Sequence, residues 1–286
     1  MRHEKFAVLI LSHGRADNMK TLKALNEQGY TGRWYIVIDN EDASAKEYYA
    51  RFGQDHVIMF DKLEAAKRID IGDNFPERNV VVIARNVCHD IAASLGLEYF
   101  LELDDDYVSF DFRYIEGDKL KASRIKNLDL LFDYMLDFLD ESGAVTVAFA
   151  QAGDYIGGAE SGTFKKGLLR KAMNSFFCRT DRPFKFFGRI NEDVNAYVKL
   201  GSEGKLFFSI CDVGLIQTET QQSSGGLTEA YLDLGTYVKS YYSVMYCPSC
   251  VKIGIMGGND YRIHHQISWR NAVPQILDEK WKKESS

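Results

Sequence analysis

The chain has 286 residues, 45% of them hydrophobic, and a formal net charge of −6 at pH 7. That apolar content describes a globular protein with a buried core, large enough for one big domain or two small ones. The acidic balance argues against a general nucleic-acid coat protein and leaves room for a local basic surface. No run approaches the roughly 18 to 20 apolar residues of a membrane span, so no membrane partner is expected. The opening Met1-Arg2-His3-Glu4-Lys5 leads into an apolar stretch too short for a signal peptide, and the cytoplasm is the expected compartment. Five scattered cysteines, Cys88, Cys178, Cys211, Cys247 and Cys250, do not read as a disulfide framework.

Phe6 to Leu11 is a continuous apolar run, the pattern of a strand buried on both faces, and it stops at Ser12-His13-Gly14. Met19, Leu22 and Leu25 predict a helix over Ala16 to Gln28, ended by Gly29. A second strand over Trp34 to Ile38 closes on Asp39-Asn40-Glu41-Asp42. There follow a helix over Ala43 to Phe52, a strand over His56 to Phe60, a helix from Arg78 to Leu95 and a strand from Glu98 to Leu103. Alternating strands and helices imply a parallel sheet with right-handed crossovers, whose ligands sit outside the carboxyl ends of the strands.

Beyond Asp106 the pattern is mixed. Strands are predicted over Tyr107 to Tyr114, Ala144 to Ala150 and Leu206 to Cys211, and helices over Leu128 to Leu139, Asp193 to Leu200 and Leu227 to Tyr246. Gln221-Gln222-Ser223-Ser224-Gly225-Gly226 has the composition of a mobile loop. No linker or repeat divides the chain.

Asp104-Asp105-Asp106 sets three carboxylates directly after a buried strand, where a cation or solvent must offset their repulsion. Mg²⁺ or Mn²⁺ held by one or two carboxylates takes its other ligands from water and phosphate oxygens. The plain alternative is a solvated acidic turn. Glycosyltransferases of the GT-A fold carry an Asp-any-Asp motif at the end of such a strand, and this triplet resembles it. The polar loop after strand one, the acidic end of strand two and the helix bearing Ala84-Arg85-Asn86 are similar as well.

That resemblance implies an α/β fold of GT-A type, a Rossmann-like mixed sheet flanked by helices. It implies a single domain over 1–286, with 1–106 as the nucleotide-sugar half and 107–286 as the acceptor half. Asp39 would contact the base or ribose, Arg85 the diphosphate, and Asp104 and Asp106 the ribose and metal. Ser12, His13, Arg15, Asn40 and Asp105 complete the expected donor-binding set. His264 of the His264-His265 pair would be a third metal ligand; a structural role for both histidines is the alternative.

A narrower resemblance rests on Ile10-Leu11-Ser12-His13-Gly14-Arg15, Val37-Ile38-Asp39-Asn40-Glu41-Asp42, Gly72-Asp73-Asn74-Phe75, Leu103-Asp104-Asp105-Asp106-Tyr107 and Ala150-Gln151-Ala152-Gly153-Asp154. These segments span over half the chain and resemble the TET-associated glycosyltransferases of bacteriophages. The implied reaction moves a sugar, glucose from UDP-glucose being the expected donor, to 5-hydroxymethylcytosine in DNA. For a phage-encoded enzyme the compartment is the host cytoplasm. An acceptor that is a glycan or other small molecule, and a nucleotidyltransferase with a similar metal-binding sheet, stay open as alternatives.

From Lys165 to Arg189 eight basic residues stand against one acidic residue: Lys165, Lys166, Arg170, Lys171, Arg179, Arg182, Lys185 and Arg189 against Asp181. Phe176, Phe177, Phe184, Phe186 and Phe187 lie among them. Cations beside aromatic faces suit a DNA-tracking surface, and a loop whose phenylalanines enter the core is the alternative. Glu192-Asp193 follows, with Asn191 as the expected helix cap. A hydroxyl acceptor needs its proton removed, so one of this pair, Asp193 ahead of Glu192, is the expected catalytic base. Stabilisation of the helix N-terminus by both acids is the alternative.

Overall fold

The computed structural model describes residues 1–217, 238–256 and 262–274. Strand β1 (Phe6–Leu11) has no exposed residue, and its side chains divide by parity. Ala7, Leu9 and Leu11 enter one apolar cluster, and Phe6, Val8 and Ile10 enter another. A strand apolar at every position belongs in the middle of a sheet covered on both faces. There β1 lies, paired in parallel with β2 (Arg33–Asp39) on one side and β4 (Tyr99–Asp104) on the other. β3 (Val57–Phe60) extends this parallel unit beyond β2. Helices α1 (Lys20–Glu27), α2 (Ala45–Phe52), α3 (Lys62–Ala66) and α4 (Val81–Ser94) make the crossovers.

The chain continues through β5 (Tyr107–Glu116), β6 (Lys119–Arg124), α5 (Leu128–Ser142), β7 (Thr146–Ala150), the two-residue β8 (Leu168–Leu169) and β9 (Ser175–Arg179). It ends with α6 (Glu192–Ser202), β10 (Phe207–Gln217), α7 (Val238–Tyr246), β11 (Val251–Met256) and β12 (Arg262–Ile267). The main sheet runs β3-β2-β1-β4-β9-β7-β10-β5-β6, with β8 also on β10, and β11 and β12 form a separate hairpin. The sheet is mixed because β9 enters antiparallel between β4 and β7. Residues of α4 and α6 fill the cluster on one face, and those of α1 and α5 the cluster on the other.

Two predicted elements change. The run Phe176-Phe177-Cys178 is the interior of β9, with all three residues buried, and not part of a loop. β10 continues past Cys211 to Gln217: its register on β7 shifts between Ile210 and Gly214, where Gly214 pairs with Ala150, and Val213 to Gln217 pair with antiparallel β5. Of the helix predicted over Leu227 to Tyr246, Val238–Tyr246 is helical; its first part and Gln221–Gly226 lie outside the described residues. All five cysteines are free and buried.

Gln28, just past α1, joins three backbone groups of the second half to the first. Its side-chain amide donates to the carbonyls of Phe110 and Ile125, each at 2.7 Å, and its oxygen accepts from the Phe110 N–H at 2.9 Å. The residue is buried, so an apolar replacement takes the side-chain partner from the Phe110 N–H and the Ile125 carbonyl, while the Phe110 carbonyl keeps the Ile125 N–H. Gln28→Leu is expected to lower stability by about 2–4 kcal/mol, summed over the lost bonds, as measured by urea unfolding.

Candidate active site

The carboxyl ends of β1, β2 and β4 bring their polar residues together. His13 Nδ1 lies 2.8 Å from Asp39 Oδ2, and the Lys62 ammonium reaches the same oxygen at 3.3 Å. Burial alone would raise the Asp39 carboxyl; the His13 hydrogen bond and the Lys62 charge outweigh it and hold Asp39 below its ordinary range. The bond to Asp39 in turn raises His13. Asn40 accepts from the Lys62 N–H. Gly14 turns the loop at φ +71°, which aims its N–H at Asp42 at 2.8 Å.

The acidic triplet splits. Asp105 points back into the protein, where it accepts from Ser12 Oγ at 2.5 Å and from Arg15 Nη1 at 2.9 Å. Burial pushes it up to about 6 despite Arg15. Ser12 and Tyr48 share a hydroxyl contact of 2.6 Å, and the Tyr48 hydroxyl accepts from the Arg15 N–H. Ser12, Arg15 and Asp105 therefore hold one another, and Asp105 is a tether for the loop, not a group open to the donor. Asp104 and Asp106 are the half-buried members. Asp106 accepts from Gln217 Nε2 at 3.1 Å on both oxygens. Burial, and then the charge of Asp104, raises it.

Behind Asp104 lies Arg85, 2% exposed. Its Nη2 donates to Asp104 at 3.1 Å and its Nε to Glu192 at 2.9 Å. Nη1 stands 3.9 Å from Glu102 and has no hydrogen-bond partner. The expected contact between Arg85 and the donor diphosphate is thus replaced by a bracing role: all three nitrogens face carboxylates of the protein. One guanidinium cannot neutralise Asp104, Glu192 and Glu102 together. Glu102 is the group left protonated, since burial pushes its carboxyl up to about 8 despite Arg85.

Glu192 and Asp193 open α6, both buried. Asp193 Oδ1 accepts from the Val194 N–H at 2.7 Å. Burial, and then the charge of Glu192, raises the Asp193 carboxyl. Asn191 stands at the N-cap position as expected, but its side chain makes no capping bond; it takes φ +58°, and its amide donates to the Lys239 carbonyl and to Ser243 on α7.

The basic segment is not the continuous basic and aromatic face expected of it. Phe176, Phe177, Phe184 and Phe186 are core residues. Arg189 is buried in a two-bond ion pair with Asp73. Lys171 pairs with Asp154, Arg179 with Asp140 and Asp181, and Lys165 with Glu160. Arg182 caps the Leu139 and Ala144 carbonyls. Lys166, Arg170 and Lys185 stay exposed. The physical reason is β9: once Phe176 and Phe177 enter the sheet, the cations on either side meet neighbouring carboxylates.

His264 sits on β12 with its ring 4.2 Å from that of His265. No group of three histidine, cysteine or acidic side chains with the spacing of a metal site forms among the described residues, so the expected third ligand does not join Asp104 and Asp106 there. Four contributors escaped the sequence reading: Tyr48, Lys62, Glu102 and Gln217. Only Glu102 left a signal, a carboxylate between leucines in an otherwise apolar strand.

A family model of the TET-associated glycosyltransferases matches residues 6–226. The chain belongs to that family. It is a glycosyltransferase built on a mixed sheet flanked by helices. No curated protein matches this TET-associated glycosyltransferase. Among solved structures, a mycobacterial protein aligns over 92% of this chain and 83% of its own, at 10% identity and a TM-score of 0.48. Glucosyl-3-phosphoglycerate synthase from Mycobacterium tuberculosis, in complex with Mg²⁺ and UDP, aligns over 92% and 87%, at 10% identity and a TM-score of 0.45. S. aureus TarS 1–349 aligns over 84% and 64%, at 14% identity and a TM-score of 0.37. No helix among the described residues is long and apolar enough to cross a membrane.

A protonated Glu102 has a signature in stability. Its carboxyl is raised in the fold from an ordinary 4.5 to about 8, so the folded protein holds a proton that the unfolded chain releases. That contribution is complete below pH 4.5 and is lost as pH rises towards 8. Thermal unfolding should therefore show Tm falling over this window in the native protein and falling less in Glu102→Gln; equal slopes would mean that Glu102 is ionised in the fold.

Proposed function

We propose that this glycosyltransferase moves a hexose, with glucose from UDP-glucose as donor, to the hydroxymethyl group of 5-hydroxymethylcytosine in DNA, with Mg²⁺ or Mn²⁺ bound at Asp104 and Asp106. The observation that carries the reading is the arrangement of these two half-buried carboxylates at the end of β4, with Asp104 joined through Arg85 to Glu192, the neighbour of Asp193. Membership of the TET-associated glycosyltransferases supports the choice of acceptor.

The residues fit a divalent ion. Asp106 is raised in part by the charge of Asp104, and that repulsion is what a cation between them relieves. Two carboxylates suit Mg²⁺ or Mn²⁺, which take water and phosphate oxygens for the rest. When bound, such an ion offsets the charge that develops on the departing diphosphate.

The protein's own groups supply the remainder. His13, Asp39 and Asn40 line the donor end, where Asp39 is ionised and accepts hydrogen bonds. Asp193 acts as the base. It takes the hydroxymethyl proton as that oxygen forms a bond to the anomeric carbon, while the bond from that carbon to the diphosphate oxygen breaks. A carboxyl raised by burial and by Glu192 is a stronger base than a free aspartate. Lys166, Arg170 and Lys185, exposed beyond the ion-paired cations, are the groups left to meet DNA phosphates.

A second reading, transfer to a glycan or other small acceptor, is favoured by the internal pairing of Lys171, Arg179 and Arg189, which thins the expected basic surface. The two part on one assay: UDP release from UDP-glucose with Mn²⁺, using oligonucleotides with and without 5-hydroxymethylcytosine, followed by nucleoside mass analysis. A hexose added only to the modified base is the expected result. Donor hydrolysis without transfer would reject the DNA acceptor.

Asp106→Ala should lower transfer by about 10²-fold or more, the rate equivalent of several kcal/mol of charge stabilisation, while unfolding stays cooperative. Because Asp193 must be ionised to act, kcat/KM should fall as pH drops through its raised pKa. Glu192→Gln removes the neighbouring charge, so the acid limb of the profile should move to lower pH; a limb that stays in place would remove Asp193 as the base.

A further inference from the structure

Phe75 is 53% exposed and belongs to none of the three apolar clusters, yet it is held more firmly than an ordinary surface ring. Asp73 accepts the Phe75 N–H at 2.9 Å, and the Phe75 carbonyl accepts from Arg189 Nη2 at 3.0 Å. The same guanidinium makes two 2.7 Å bonds to Asp73 and a third to the Glu77 carbonyl, and its centre lies 5.6 Å from the Phe75 ring centroid. Tyr242 on α7 donates to Asp73 at 2.5 Å. Gly72 precedes at φ +83°, and a Cβ there would meet the Tyr246 hydroxyl at 2.6 Å and Met245 Cε at 2.8 Å. A buried cation, a carboxylate and a tyrosine are thus spent on fixing one loop that displays an aromatic ring.

The loop's course gives the ring its place. At one end, the Gly188 and Arg189 N–H groups donate to the Asp70 and Ile71 carbonyls at 2.8 Å, beside the segment that leads into Glu192 and Asp193. At the other end, Asn79 accepts from Lys62, which also holds Asp39, and Arg78 pairs with Glu41. Phe75 lies midway in a segment strung between the expected base and the donor end. One face of the ring is backed by the Arg189 cation, and the residue is open to solvent.

We propose that Phe75 is the stacking platform for the acceptor base, holding the face of an extruded hydroxymethylated pyrimidine while its hydroxymethyl group is presented to Asp193. The proposal rests on the DNA reading above. A base drawn out of a duplex loses its stacking neighbours and needs a replacement surface. An aromatic side chain supplies one for any base, with an effect of about 5- to 150-fold in affinity. A ring locked in position loses little freedom on binding.

The test compares wild type, Phe75→Ala, Phe75→Trp and, as a control, Phe112→Ala, which removes another exposed ring on β5. Phe75→Ala should raise KM for 5-hydroxymethylcytosine DNA within that range, leaving KM for UDP-glucose and Tm unchanged. Phe75→Trp should keep transfer, and its indole fluorescence should be quenched by the modified oligonucleotide. Phe112→Ala should leave KM for DNA unchanged. Transfer by wild type with an unaltered DNA KM in Phe75→Ala overturns the inference alone, as does an equal loss in both alanine variants. No transfer to this DNA by wild type overturns the acceptor reading and the inference with it.

Discussion

The site is organised around a single charge that never meets solvent. Arg85 enters from α4 and touches carboxylates on β4 and α6. A guanidinium removed from water costs several kcal/mol unless its donors are met, and carboxylates packed together cost as much unless a cation divides them. Each group is tolerable only because of the others. The outcome is a fixed separation between the acidic end of β4 and the first turn of α6, which is the relation the proposed transfer needs between donor and base. Arginine suits this place because its planar fork holds two carboxylates in a set orientation.

The triplet after β4 shows how three identical side chains take different tasks. Alternation along the turn sends Asp105 inward to Ser12 and Arg15 and leaves Asp104 and Asp106 facing the opposite way. Thr21 on α1 secures the turn from beneath: its hydroxyl donates to the Asp104 carbonyl at 2.5 Å and accepts the Tyr107 N–H at 3.0 Å. The Tyr107 hydroxyl reaches Asp104 as well, at 3.0 Å. The turn is thereby fixed through its backbone, while the carboxylates themselves are oriented by Arg85 and Tyr107 at Asp104 and by Gln217 at Asp106.

The parallel half was legible because apolar runs broken by polar loops encode buried strands, and the polar residues at their ends mark the ligand side of such a sheet. Ser12, His13, Asp39 and Asp104 to Asp106 were expected at those ends for this reason, and the fold gathers them there. The stretch from Lys165 to Arg189 was misread because phenylalanines flanked by cations have the same composition on a nucleic-acid face and on an antiparallel strand with paired flanks. Which of the two forms depends on where Asp73, Asp140 and Asp154 lie in space, and local sequence holds no record of that. Arg85 carried the same ambiguity: a helical arginine near an acidic motif suits a phosphate contact or a buried brace, and only the depth of α4 decides. Gln217 and Lys62 were silent, being polar residues whose partners are distant in sequence.

The placement of β9 constrains the order in which the sheet can be assembled. The unit β1 to β4 is built from neighbours in sequence, yet the outer edge of β4 finds its partner only when residues 175–179 arrive. Until then an apolar strand, Tyr99 to Leu103, presents unpaired backbone groups along that edge. During synthesis this interval spans some seventy residues, and in refolding it is a non-local closure, the slow kind of step in sheet proteins. The strand that covers this edge also carries Arg179 to Asp140 at the end of α5. Closure of the edge and docking of that helix are thus one event, and a chain stalled before it would expose a ready template for pairing with another copy.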